Sequence, residues 1–184
     1  MRNKLLIVFA IWLTSCNTDE PEHVSHKVNT TPLINYAIVK EYPHDPKAFT
    51  EGLQFVDGKL YESTGQYGAS DIRITDLNTG KVLSAKKMDA KYFGEGLTVL
   101  NNKIYQLTYR EHTGFVYDKT TLKLEKTFPF NGGEGWGMTS DSNYLIYDNG
   151  GSDLHFLDAT TLTEVKKTPT HKTPAQQKQA SPKK

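Results

Sequence analysis

Two glutamates and a tryptophan occupy one position of a sequence repeat. Glu51 opens Glu51-Gly52-Leu53, Glu95 opens Glu95-Gly96-Leu97, and Trp136 opens Trp136-Gly137-Met138. Carboxyls donate and accept protons, and an indole is a broad apolar wall. Brought together around one cavity, the three would make a site rather than a core. A second carboxylate beside the first would raise the apparent pKa values of the pair. Whether the three converge depends on the fold that carries the repeat.

The repeat extends beyond these triplets. Each is followed by a turn and a strand-like run: Asp57-Gly58-Lys59-Leu60-Tyr61, Asn101-Asn102-Lys103-Ile104-Tyr105, and Ser142-Asn143-Tyr144-Leu145-Ile146-Tyr147. Each unit then reaches an Asp before a second turn, at Asp76, Asp118 and Asp158. Gly96 lies 44 residues after Gly52, and Gly137 lies 41 after Gly96. A period of roughly 40–45 residues with several short strands per unit is the signature of propeller blades. Within the first unit, Gly52–Phe55, Leu60–Ser63, Ile72–Asp76 and Val82–Lys86 read as strands. Asp57-Gly58 and Asn101-Asn102 tolerate positive φ and favour tight hairpins, and Asn78-Thr79-Gly80 closes the next. A β-sandwich would not repeat its sequence at a fixed period. The innermost strand of each blade lines the channel, so Glu51, Glu95 and Trp136 are expected to face one another there.

Charge and the ends of the chain set the context. All 21 acids lie between Asp19 and Glu164, while residues 166–184 hold six lysines and no acid. An acidic centre argues against nucleic-acid binding by the folded part. The single cysteine excludes a disulfide framework and a four-thiolate zinc site. Arg2 and Lys4 precede the apolar run Leu5–Leu13, which is too short to span a membrane and suits a signal peptide. Leu13-Thr14-Ser15-Cys16 resembles a bacterial lipobox, with Cys16 lipidated as the mature N-terminus. The expected organisation is a lipoprotein signal peptide at 1–15, a flexible tether at 16–33, a partial β-propeller at 34–166 and a disordered basic tail at 167–184. The expected location is the bacterial cell envelope, periplasmic or outer surface, anchored to the membrane through Cys16. No obligate oligomer is expected. The six histidines show no ligand spacing, and neither a metal nor another cofactor is expected.

Five motifs in succession, Tyr42–Leu53, Leu60–Gly68, Phe93–Thr98, Gln106–Tyr109 and Gly133–Thr139, resemble the glutaminyl-peptide cyclotransferase (glutamine cyclotransferase) family of the plant and bacterial type, whose fold is a five-bladed β-propeller. The resemblance covers about Tyr36 to Lys166. It implies a metal-independent acyltransferase acting on peptides with N-terminal glutamine, converting that residue to pyroglutamate and releasing ammonia. It also implies residue roles. Glu95 matches the family's proposed catalytic acid/base, Trp136 a pocket tryptophan, and Phe49 and Glu51 pocket residues of the first blade.

Three departures accompany it. Position 51 is commonly Gln in the family and is Glu here. Tyr109 stands where a tryptophan is common, which makes one wall of the pocket smaller and more polar. The blade pattern stops after Val165 where the family continues, so the expectation is a chain truncated after about three blades. Such an open ring would have two free edges, marginal stability and turnover in question. A non-catalytic surface lipoprotein module and a defective fragment are the alternative readings. Asp76, Asp118 and Asp158 are read as structural Asx turns, Glu62 and Arg73 as a structural or solvated pair, Tyr36–Tyr42 as a strand with no sheet to join, and the glycine-rich run Gly132–Gly137 as the close-packed approach to the third blade.

Overall fold

The computed structural model describes residues 34–170. The signal peptide, Cys16, the tether and the end of the basic tail lie outside the described residues. The rest is twelve strands in three four-stranded antiparallel sheets. Blade 1 holds β1 (Thr50–Val56), β2 (Lys59–Thr64), β3 (Asp71–Thr75) and β4 (Val82–Lys87). Blade 2 holds β5 (Gly94–Leu100), β6 (Lys103–Thr108), β7 (Thr113–Asp118) and β8 (Leu124–Pro129). Blade 3 holds β9 (Met138–Ser140), β10 (Tyr144–Asp148), β11 (Asp153–Asp158) and β12 (Glu164–Pro169). Each sheet runs in sequence order from its innermost strand outward, and β1, β5 and β9 lie side by side. This is the arrangement of three consecutive propeller blades in an open ring.

Turn chemistry explains the regularity. Asp57 and Gly58 both take positive φ, at 50° and 76°, and Asn101 takes 56°, as tight hairpins require. The repeated aspartates are Asx turns in all three blades. The Oδ1 atoms of Asp76, Asp118 and Asp158 each accept the backbone N–H three residues on, at 2.8 Å every time. Asp118 also accepts the Thr120 amide and the Thr121 hydroxyl. Asp118→Ala is therefore expected to lower the thermal midpoint by a few degrees, and Asp118→Asn by less, because its amide oxygen still accepts. A melt of the three proteins side by side checks the order.

The core lies between blades. Tyr61, Ile72 and Ile74 of blade 1 meet Leu97, Val99, Ile104, Phe115 and Tyr117 of blade 2. On its other face, blade 2 sends Tyr105, Leu107, Val116 and Phe128 against Leu145, Tyr147 and Leu157 of blade 3. A blade covered on both faces needs no polar face, which is why β5 and β6 are buried almost throughout while β10 alternates. The outward face of β1 leaves Leu53 and Phe55 exposed.

Two boundaries differ from the sequence reading. Tyr36–Tyr42 forms no strand, and Tyr36, Ile38 and Val39 are exposed. An isolated extended segment has no ladder to satisfy its backbone. At the other end β12 runs through Pro169, and the Thr170 amide donates to the Ser152 carbonyl at 2.8 Å. Lys167, Thr168 and Pro169 thus finish a blade instead of beginning a tail. They pair with His155, Leu154 and Asp153.

Candidate active site

Glu95 sits in a bulge of the innermost strand of blade 2. Gly94 pairs with Thr108 and Leu97 with Gln106, so β5 carries one residue more than β6 between those pairs. Blade 1 repeats the device: Thr50 pairs with Thr64 and Gly52 with Ser63, which leaves Glu51 as the extra residue. A bulge frees a side chain from the alternation of the ladder and re-aims it. The two glutamates therefore turn toward each other across the seam between blades. Close approach there depends on glycine. A Cβ on Gly52 would lie 2.5 Å from the Leu97 nitrogen, and one on Gly96 would lie 2.3 Å from the Trp136 carbonyl oxygen.

The electrostatics follow from this placement. Glu95 is only 6% exposed. Burial, then the charge of Glu51 and hydrogen bonding with it, then the charges of Glu134 and Glu111, push its carboxyl up to about 8. Glu51 is half-buried and is raised mainly by burial, with the hydrogen bond from Glu95 opposing. A carboxyl held protonated near neutrality is a proton donor in waiting.

Phe93, two residues before Glu95, belongs to a run of aromatic rings. Phe93 meets Phe49 edge-on at 6.0 Å between centroids, Tyr67 at 5.4 Å and Tyr109 at 5.7 Å. Tyr109 in turn meets Trp136 edge-on at 6.3 Å. Phe49 and Trp136 remain about half exposed, at 49% and 45%, so the rings form an open rim and not a closed core. Of the residues expected from the sequence, Phe49, Tyr109 and Trp136 belong to this run of rings, and Glu51 and Glu95 form the neighbouring carboxyl pair; Cys16 lies outside the described residues.

The structure adds residues that the sequence reading did not select. Phe93 is the ring that joins the others. The Tyr67 hydroxyl donates to Glu111 Oε1 at 2.9 Å. Arg110 donates through Nε to Glu134 Oε1 at 2.9 Å, donates to the Tyr109 hydroxyl at 2.9 Å, and stacks over the Tyr109 ring at 4.5 Å. Arg110 first, then Tyr109, holds the Glu134 carboxyl below its ordinary range. Phe93, Tyr67 and Glu134 lie inside motifs visible in the sequence. Arg110 and Glu111 lie in the loop joining β6 to β7, directly after Tyr109. Among the described residues, no three His, Cys, Asp or Glu side chains are placed to hold a metal ion.

The fold is that of consecutive β-propeller blades, and its inner strands carry a buried carboxyl whose pKa is raised. The glutamine cyclotransferase family model matches residues 6–180, and the chain belongs to that family. A glutaminyl-peptide cyclotransferase of Arabidopsis thaliana is 42% identical over 140 residues, which cover 76% of this chain and 42% of that protein. The crystal structure of Myxococcus xanthus glutaminyl cyclase superposes with a TM-score of 0.67 at 30% identity, covering 73% of this chain and 56% of that one. The Neurospora crassa Pan2 WD40 domain superposes with a TM-score of 0.55 at 12% identity, over 65% of this chain and 36% of that one, a likeness of fold alone. The chain thus spans less than two thirds of both cyclotransferase relatives.

Proposed function

We propose that the chain cyclises N-terminal glutamine of peptides to pyroglutamate, with Glu95 as the acid/base and without an obligate partner subunit. The observation that carries this is a buried glutamic acid, two residues after Phe93 of the aromatic run, whose carboxyl is pushed up to about 8. The glutamine folds back so that its neutral α-amine faces its own side-chain amide. The amine nitrogen bonds to the amide carbon, and the Glu95 carboxyl protonates the amide nitrogen. The old carbon–nitrogen bond breaks and ammonia leaves. The resulting carboxylate accepts the proton shed by the former amine, which restores the starting state. Glu51 keeps a proton on Glu95 between turnovers. Phe49, Phe93, Tyr109 and Trp136 hold the folded-back conformer and keep water from the amide carbon.

The test is ammonia release and a 17 Da mass loss from a Gln-initiated peptide, about the mass of ammonia, with an Asn-initiated peptide as control. Turnover by the wild type and none by Glu95→Gln supports the reading. A folded wild type that leaves the peptide intact favours the non-catalytic module.

We infer in addition that the chain is anchored to the bacterial envelope by a lipid on Cys16, which lies outside the described residues. The support is the lipobox-like sequence and the absence of any other cysteine. Expressed in a bacterium with lipoprotein processing, the full chain is expected in the detergent phase of a Triton X-114 partition and Cys16→Ser in the aqueous phase. Equal partition of both would remove the anchor.

A further inference from the structure

The sequence pairs Glu62 with Arg73 across the blade, and the two are indeed ladder partners of β2 and β3. Their side chains take different hydrogen-bond partners. Arg73 binds Asp71 at 2.7 Å and Asp45 at 3.3 Å. The Glu62 carboxyl, 1% exposed, acts on Arg73 by its charge and makes its hydrogen bonds elsewhere. Its Oε1 accepts the Thr50 hydroxyl at 2.6 Å and faces His44 Nε2 at 3.1 Å. A carboxylate taken this far out of water is costly unless it is well satisfied, and buried ionic groups are weak evidence of stabilisation. Its location suggests another use.

Thr50 is the residue before Glu51. Glu51 is the extra residue of the β1 bulge, so the ladder does not set the direction of its side chain. The direction is set by what fixes the residues on either side. On one side the Phe49 carbonyl accepts the Gly65 amide at 2.8 Å, and the Thr50 hydroxyl is held by Glu62. On the other side Gly52 pairs with Ser63 and abuts the Leu97 backbone. Removing the Thr50 side-chain tether leaves the Thr50–Thr64 ladder pair and the Phe49–Gly65 bond as the remaining hold on the N-terminal side of the bulge.

We propose that Glu62 and Thr50 form a positioning pair that holds the β1 bulge in the orientation aiming Glu51 at Glu95, with His44 latching Glu62 from the segment before β1. The pair touches no substrate and acts through Glu51. This rests on the reading of Glu95 as the acid/base, and the experiment separates the two.

The readout is the titration of the Glu95 side chain in full chain labelled with carboxyl-13C glutamate, its resonance assigned by loss in Glu95→Gln. The groups facing Glu95 are Glu51, Glu111 and Glu134. Thr50→Val removes the hydroxyl without changing any charge. It is expected to lower the Glu95 midpoint by about one unit, in the same direction as Glu51→Gln. Glu62→Gln keeps an oxygen that accepts from Thr50 and is expected to titrate within a few tenths of a unit of wild type. Ile74→Val, a core change in the same blade, should lower the melting temperature and leave the titration alone. A Thr50→Val protein that titrates like wild type, while Glu51→Gln does not, overturns the positioning role. So does a shift in Ile74→Val as large as that in Thr50→Val. If wild-type Glu95 titrates near its ordinary value, the acid/base reading falls instead. If Glu95 is raised but no peptide is turned over, the cyclisation reading falls and the positioning role stands.

Discussion

Glu95→Gln is expected to lower turnover of a Gln-initiated peptide by about 10²–10⁴-fold and, in the same protein, to raise stability at alkaline pH. The first effect follows from removing the buried carboxyl proposed as the acid/base. The second follows from linkage. Folded Glu95 holds its proton up to about pH 8, while its ordinary value is 4.5. Between those values the folded state binds a proton that the unfolded state has released. Stability contributed by this group therefore falls as pH rises from 4.5 to about 8, and above that the full cost is in place. The wild type bears a burden on the order of a few kcal/mol at pH 9 that is absent at pH 4. Glutamine occupies the same volume without titrating. Melts of both proteins at pH 5 and pH 9 should show the variant gaining on the wild type only at the higher pH. Activity in the wild type should decline above pH 8 as the donor deprotonates. A variant that loses stability equally at both pH values would mean that Glu95 is a satisfied structural carboxylate.

Much of this site could be read from spacing alone. Equivalent positions in successive blades converge, so a repeat that puts Glu51, Glu95 and Trp136 in register already implies a shared channel position. The Asx turns were legible for the same reason, since a local hydrogen bond repeats wherever its sequence repeats. What could not be read was contact made across loops. Phe93 joins Phe49, Tyr67 and Tyr109 from segments that all lie outside the strands, and no period in the sequence encodes that. In sequence, Tyr109 makes one wall of the pocket smaller and more polar than a tryptophan would. In the structure its hydroxyl and ring engage Arg110, a link that a tryptophan could not make through a hydroxyl. Glu62 and Arg73 share a ladder position, but Glu62 makes its hydrogen bonds with Thr50 and His44, which lie outside β2 and β3, and no pairing of those two strands announces them. Tyr36–Tyr42, expected to have no sheet to join, forms no strand, because residue type alone cannot supply a neighbour to pair with.

The seam between blades makes a second strong prediction, which separates three glycines that the sequence treats as equivalent. Gly52, Gly96 and Gly137 occupy the same place in the repeat. At Gly96 a Cβ would meet backbone on every side: the Trp136 oxygen at 2.3 Å, the Met138 nitrogen at 2.5 Å and the Gly137 carbonyl carbon at 2.7 Å. None of these is the end of a flexible side chain, and the Gly96 amide donates to that same Trp136 oxygen at 2.9 Å. Gly96→Ala must push blade 3 away from blade 2, at a cost of about 3 kcal/mol or more. The same movement carries Trp136 away from Glu95. Gly52→Ala should behave alike between blades 1 and 2, because its Cβ would meet the Leu97 nitrogen and the Gly96 backbone. At Gly137 nothing stands within 4 Å of a Cβ, and its φ lies outside the left-handed region. Gly137→Ala is therefore expected to melt within a degree or two of wild type. Comparing the three alanine variants by thermal melt and by peptide turnover isolates the seam. Equal losses at all three positions would mean that the glycines serve the strand conformation itself; a loss confined to Gly52 and Gly96 places their role in the close backbone approach between neighbouring blades.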